Sequence, residues 1–255
     1  MIGLWVSERE RIWKKKRVLI LCSAYLLILA IYIAKLVHSG VGLYDYGEGK
    51  AVLHNLNLPW FVLQDMSLFI QAIILPIFAV STLCDELHSG CYRLYMLRPF
   101  RRYQHWSIKM IALLEVVLVF IIGTYVISLI SGWIFLPHSQ SAILYHTTEP
   151  IGFWEANLYT IKLYLMHVLT CVLMIMMSSV ICFFVPVPVV AFMVIFGFPL
   201  LLTAINTEFL IMNNPFSVVL DVLSPTGHPI FWAYLFGSLM GASFISIVRW
   251  QTKSI

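Results

Sequence analysis

Six long apolar runs divide the chain, at about 18–37, 60–83, 110–136, 159–184, 187–205 and 230–248. Each comes near the ~20 residues that a helix needs to cross ~30 Å of hydrocarbon. Lipid offers no hydrogen-bond partners, so a segment inside it must satisfy its own backbone, and a helix does this alone. A barrel would need strands that alternate apolar and polar side chains. These runs are continuously apolar. The chain is 61% hydrophobic and 11% charged, where a soluble domain has about 45–50% and about 25%. The expected fold is an all-α integral membrane protein with six transmembrane helices, forming one domain over 1–255. The first run is too long for a signal-peptide core, and no A-x-A-like site follows it.

Basic residues orient the spans. Arg9, Arg11, Lys14, Lys15, Lys16 and Arg17 precede the first run, and Arg93, Arg98, Arg101, Arg102 and Lys109 lie between the second and third. With Arg249 and Lys253, thirteen of the sixteen Lys and Arg residues fall on one side, leaving Lys35, Lys50 and Lys162 for the other. Cytoplasmic loops carry this excess, so both termini and the 84–109 loop are expected in the cytoplasm. The net charge of +4 reflects that bias, and no aromatic-interleaved basic patch points to nucleic acid. Trp13, Trp106 and Trp250 fall at the basic span ends, Trp60, Trp133, Trp154 and Trp232 at the opposite ones, and Trp5 in the N-terminal arm. Trp is expected at headgroup level. No cysteine falls in an outer loop, which argues against a disulfide framework, and no C-x-x-C pair suggests a metal.

Residues 1–17 read as an amphipathic helix lying in the interface. Leu4, Trp5, Ile12 and Trp13 form its apolar side, and Glu8, Arg9, Arg11 and Lys15 its water-facing side. Segments 38–59 and 137–157 read as polar outer loops. The stretch from Gly47 to Ala51 superficially suggests a phosphate loop. However, Tyr44 stands where the first Gly is required and Ala51 replaces the Ser/Thr, so no nucleotide site is assigned to this chain. Pro186 and Pro188 force a short turn after the fourth run. Segment 207–228 is apolar yet broken at Asn213-Asn214-Pro215, and reads as paired short re-entrant helices. The motif at Gly237 and Gly241 is a G-x-x-x-G, which lets helices pack closely.

The 84–109 loop is the one sizeable polar element on the basic side. Glu86 follows the second run, Gly90 permits a bend, and Tyr92–Leu97 is expected to form a short helix, with Tyr92, Leu94 and Leu97 as apolar anchors and Arg93 and Arg98 as charged ones. Arg98 precedes Pro99, which ends that helix. Such a surface suits a docking partner, whereas a loop that only binds headgroups does not call for this set of anchors.

The order acidic–Gly–basic–Leu–Pro–Arg–Lys, here Glu86, Gly90, Arg93, Leu97, Pro99, Arg101 or Arg102, and Lys109, resembles the membrane subunits of ABC-2-type transporters. The N-terminal elbow helix, the six spans and the broken segment before the last are similar too. The motif covers about a tenth of the chain, and the likeness in topology covers all of it. The resemblance implies that Glu86–Arg98 is a coupling helix seated on a separate ATP-binding subunit. Two copies of that subunit would serve two membrane subunits, with a homodimer the expected pairing and a heterodimer the alternative. ATP and magnesium are then expected on the ATPase and no cofactor in this chain. The implied function is export of a peptide or amphipathic antimicrobial compound across the cell membrane, with a glycan or lipid-linked cargo as the alternative.

Other classes carry less. A structural or sensory membrane subunit fits the hydropathy equally well. An intramembrane protease of the Glu-Glu-x-x-x-Arg type does not fit, since Asp85 precedes Glu86 and Gly90 stands where Arg is needed. Few polar residues enter the runs, and such residues mark functional sites by default. Asp65, Gln71 and Glu115, with Met174, Met177, Phe192 and Phe196, are the candidates for a translocation path, because flexible Met and broad aromatics suit apolar cargo.

Overall fold

The computed structural model describes residues 2–44, 50–90, 102–144, 150–205, 215–223 and 229–252. Helix α1 spans Ile2–Trp13 and α2 Lys16–Ser39. Strands β1 (Val41–Leu43) and β2 (Lys50–Val52) follow. Helix α3 runs Leu58–His88 and α4 Arg102–Phe135. Strands β3 (Ser141–Ile143) and β4 (Pro150–Gly152) lead into α5 (Phe153–Phe184). Helices α6 (Pro188–Ile205), α7 (Pro215–Val222) and α8 (Pro229–Thr252) complete the order.

Among the described residues five helices are long and apolar enough to cross a membrane: α2, α3, α4, α5 and α8. The fifth apolar run forms α6, a shorter helix of 18 residues, or about 27 Å at 1.5 Å per residue. Its last residue, Ile205, is also the last described residue before 215. Its start has a chemical cause. Val185–Val187 is non-helical between α5 and α6, as the two prolines require, and Pro188 opens α6, where its missing N–H costs nothing.

Helix α3 is the centre of the molecule. Of its membrane window 67% is buried, against 61% for α5 and 22% for both α2 and α8, so α2 and α8 are peripheral. Pro76 cannot donate a hydrogen bond and its ring crowds the preceding turn. The turn it crowds is a wider π-turn at Ile70–Ile74, and a second π-turn follows at Val80–Cys84. There Leu75 N bonds Ile70 O and Asp85 N bonds Val80 O, each five residues back. Trp60, Phe61, Ile70, Ile74 and Phe78 from this helix fill the interior. Leu19, Ile20, Val189, Met240 and Phe244 face outward, as lipid-facing residues do. Gly237 and Gly241 also face outward, and a Cβ built on either meets nothing within 4 Å. Their motif therefore packs no helix among the described residues.

The loops expected to be plain polar connections are instead two antiparallel hairpins. One pairs Val41 with Val52 and Leu43 with Lys50, the other Ser141 with Gly152 and Ile143 with Pro150. They share one end of the molecule, here the hairpin end; the opposite end, carrying α1, is the basal end. Asn55 joins the two, its N–H donating to Pro137 O at 3.2 Å and its Oδ1 accepting from Ser139 N at 2.8 Å. Asn57 closes the turn into α3, accepting from His54 N and donating to Val52 O, both at 2.9 Å. Gly42 lies against Phe61, where a Cβ would come within 2.7 Å of the ring. A side chain there would displace a residue that is 1% exposed, so only glycine fits.

His54 sits in this turn, its Nδ1 accepting from Leu56 N at 3.3 Å. Burial holds its pKa below the ordinary 6.5. The unfolded chain therefore takes up the proton at a higher pH than the folded one. The stability contributed by neutral His54 is complete above about 6.5 and is lost as pH falls through the folded value. Thermal unfolding should thus come earlier at about pH 5 than at about pH 7.5, and His54→Gln should flatten that difference. An unchanged pH dependence in His54→Gln would show that other groups carry it.

Tryptophan placement departs from the headgroup expectation at two positions. Trp133 and Trp154 are exposed at 50% and 82%, but Trp60 is 2% exposed and Trp106 6%. The Trp106 indole donates to Ser179 Oγ at 2.9 Å. A polar partner on α5 satisfies the N–H that would otherwise seek water.

Candidate functional site

The site is built at the basal end, where α1 meets α3 and α4. Leu4, Glu8 and Ile12 are spaced by four, so they share one helical face, and that face is buried at 5%, 4% and 2% exposure. The sequence placed Glu8 on the water-facing side. In the structure it lies on the protein-facing stripe, between two apolar residues. Arg9 bonds Glu115 of α4 at 2.8 Å, and its guanidinium lies 5.5 Å from the Trp5 ring centroid.

Four charges gather under this stripe. Arg11 pairs with Glu8 and with Glu86, and Lys109 pairs with Glu86 and lies 3.6 Å from Glu8. Glu86 is 7% exposed and Lys109 3%. Two carboxylates and two cations balance, which is the condition for leaving charge inside a protein. Alongside, Lys15 Nζ donates to Ser81 O at 3.2 Å. Burial and the neighbouring Arg11 hold the Lys15 pKa below the usual lysine range, while Asp85 and Glu86 oppose the shift.

The geometry gives Glu86 partners inside this chain. The sequence put Glu86 among the residues presented to a partner, but its carboxylate is buried and taken by Arg11 and Lys109. It ties the loop down instead. Glu86 lies near the end of α3 and Lys109 near the start of α4, so their bond closes the loop at its base. Past Glu86 the chain turns at Gly90, whose φ of 70° is a left-handed conformation that suits glycine. Tyr92, Arg93, Leu94, Leu97 and Arg98 lie outside the described residues.

Glu115, expected in a path or between helices, is held by Arg9 on α1. Asp65 is partly exposed near the hairpin end of α3. Gln71, Met174 and Phe196 are brought together around a cavity of about 290 Å³, lined also by Ile195 and Pro199. Phe192 lines a different cavity, at the basal end. Met177 lines neither. Gln71 is 2% exposed; its amide donates to Thr170 Oγ1 at 2.6 Å, and its Oε1 has no partner among the described residues.

A buried polar stripe runs along α5. Thr160, Tyr164, His167, Cys171 and Ser178 lie at helical spacing and are all buried. Thr160 accepts from Trp60, Tyr164 donates to Pro59 O at 3.2 Å, and Cys171 Sγ lies 3.7 Å from His167 Nε2. Their spacing of four, three, four and seven residues was the available signal.

Among the described residues no group of three His, Cys, Asp or Glu side chains can hold a metal ion. The fourth expected feature, segment 207–228, is described only at 215–223. There α7 buries Phe216, Val219 and Leu220 against α3 and α5; the remainder lies outside the described residues, as do the ends of the proposed re-entrant pair. No protein-family model, curated protein or solved structure matches the chain.

Proposed function

We propose that this chain is the membrane subunit of an ATP-driven exporter, working as a pair with two soluble ATP-binding subunits. One observation carries most weight: the base of the 84–109 loop is locked by Glu86 and Lys109 and tied by Arg11 and Glu8 to α1. A force applied to such a loop reaches α1, α3 and α4 together. A loosely attached loop would dissipate it. The motif from Glu86 to Lys109 supports the same assignment, with α1 as the elbow helix and the loop as the coupling element.

The basic residues favour both termini and this loop on the cytoplasmic side of the cell membrane. Six crossings then require α6 to span with help from its flanks, and α7 with the segment before it to form the outer re-entrant pair. The cargo is a peptide or amphipathic compound, with a glycan or lipid-linked molecule as the second choice. ATP and magnesium belong to the partner.

The test is a Tyr92→Ala/Leu97→Ala pair in the tagged chain, coexpressed with a soluble ATP-binding subunit that copurifies with the unaltered chain. Loss of two interface anchors costs about 2 kcal/mol or more, so copurification should fall by more than about tenfold. Membrane insertion should be unchanged, since neither residue lies in a span. If the ATPase binds the variant normally and hydrolysis still drives transport, coupling belongs elsewhere.

A further inference from the structure

A cavity of about 940 Å³ opens at the basal end, between the start of α2, the second half of α3 and the start of α6. Its chemistry is graded. Lys15, Lys16 and Arg17 stand at one edge, and Ile20, Ala24, Phe78 and Phe192 are among the walls beyond them. One carboxylate, Asp85, belongs to the lining. Lys16 and Arg17 are exposed, and among the described residues neither forms an ion pair. Ile20 is 64% exposed and Val189, on the α6 wall, 70%, so the cavity is open on the outward side that meets lipid.

We propose that this cavity is a binding site for one anionic phospholipid, with its phosphate on Lys16 and Arg17 and an acyl chain along Ile20, Ala24 and Phe192. Three features select that occupant. Charge favours an anion, since three cations face one carboxylate. Amphiphilicity is required, because a cationic edge adjoins an apolar wall at the level where a first span begins. The volume takes several methylene groups as well as a headgroup, more than a free phosphate would fill. Lys15 adds a further reason: it is partly buried beside the positive Arg11, so an added anion relieves rather than creates electrostatic stress. Basic pockets between transmembrane helices recognise acidic headgroups in this manner.

The proposal is independent of any ATPase and holds for a membrane protein of any function. It is tested by native mass spectrometry of the purified full chain titrated with dioleoylphosphatidylglycerol, dioleoylphosphatidylcholine or water-soluble glycerol phosphate. Each basic residue near an anionic headgroup is worth about fivefold in binding. Phosphatidylglycerol should therefore bind at least about tenfold more tightly than phosphatidylcholine, and Lys16→Gln/Arg17→Gln should remove that preference. Filling the apolar wall by Ala24→Phe, or by Val189→Trp at an exposed position, should lower phosphatidylglycerol occupancy with every charge retained. Equal binding of the two lipids overturns the proposal. So does glycerol phosphate binding as tightly as the lipid, which would make this a simple anion site. Unchanged lipid binding in both wall-filling variants overturns it too, since attraction to a basic surface would then suffice.

Discussion

Replacing Glu86 with alanine should destabilise the folded chain by about 3–5 kcal/mol, the usual cost of removing one member of a buried ion pair. The reason lies in the balance of the cluster. Glu8 and Glu86 neutralise Arg11 and Lys109. Without Glu86 one cationic charge is left uncompensated, and Lys109 at 3% exposure has little access to water. Because the cluster joins α1 to α3 and α4, α1 should release before the spans separate. Unfolding by graded denaturant in detergent measures the total loss, and protease cleavage near residues 10–16 reports release of α1. A Glu86→Met/Lys109→Met double variant should recover much of the loss, because Glu8 and Arg11 still neutralise each other and the methionines fill the volume. If Glu86→Ala costs less than about 1 kcal/mol, the value of an exposed pair, the cluster is not closed to water.

At the hairpin end, Trp60→Ala should cost about 3–5 kcal/mol as a large-to-small core substitution. Trp60 is 2% exposed. Its indole packs edge-on against Tyr159, with ring centroids 5.3 Å apart, and donates to Thr160 Oγ1 at 2.6 Å. Thr160 in turn donates to Ala156 O at 2.9 Å, so the bond ties α3 to α5 through one hydroxyl. Trp60→Phe separates the two contributions. It keeps most of the ring contact and removes only the N–H donor, and Thr160 retains its bond to Ala156; the expected cost is about 1 kcal/mol. The two variants should therefore differ by severalfold in the same unfolding assay. Similar losses in both would assign the role of Trp60 to its hydrogen bond instead of its bulk.

The helical elements were legible because their causes are local. Continuous apolar runs leave the backbone no choice in lipid. Pro186 and Pro188 part α5 from α6, and Gly90 takes the bend after α3 that its lack of a Cβ allows. The hairpins were less legible, since strands of three residues carry too little pattern to stand out from a polar loop.

The basal cluster shows where reading along the chain stops. Glu86 and Lys109 look like surface charges on a polar loop, and Glu8 like one of several charges on an amphipathic helix. Hydropathy is a property of neighbours in sequence, whereas a buried charge is decided by a partner elsewhere. Lys109 meets Glu86 across 23 residues, and Arg11 reaches the same carboxylate from the N-terminal helix. The Trp residues divide in the same way. Sequence position placed all but Trp5 near span ends, but packing decided that Trp60 and Trp106 find hydroxyls on α5 while Trp154 stays exposed. The sequence by itself determined that this chain must be a set of apolar helices with a basic bias to one side. Only the tertiary structure decided which of its charges could leave water, because that depends on whether opposite charges from distant segments arrive at one place.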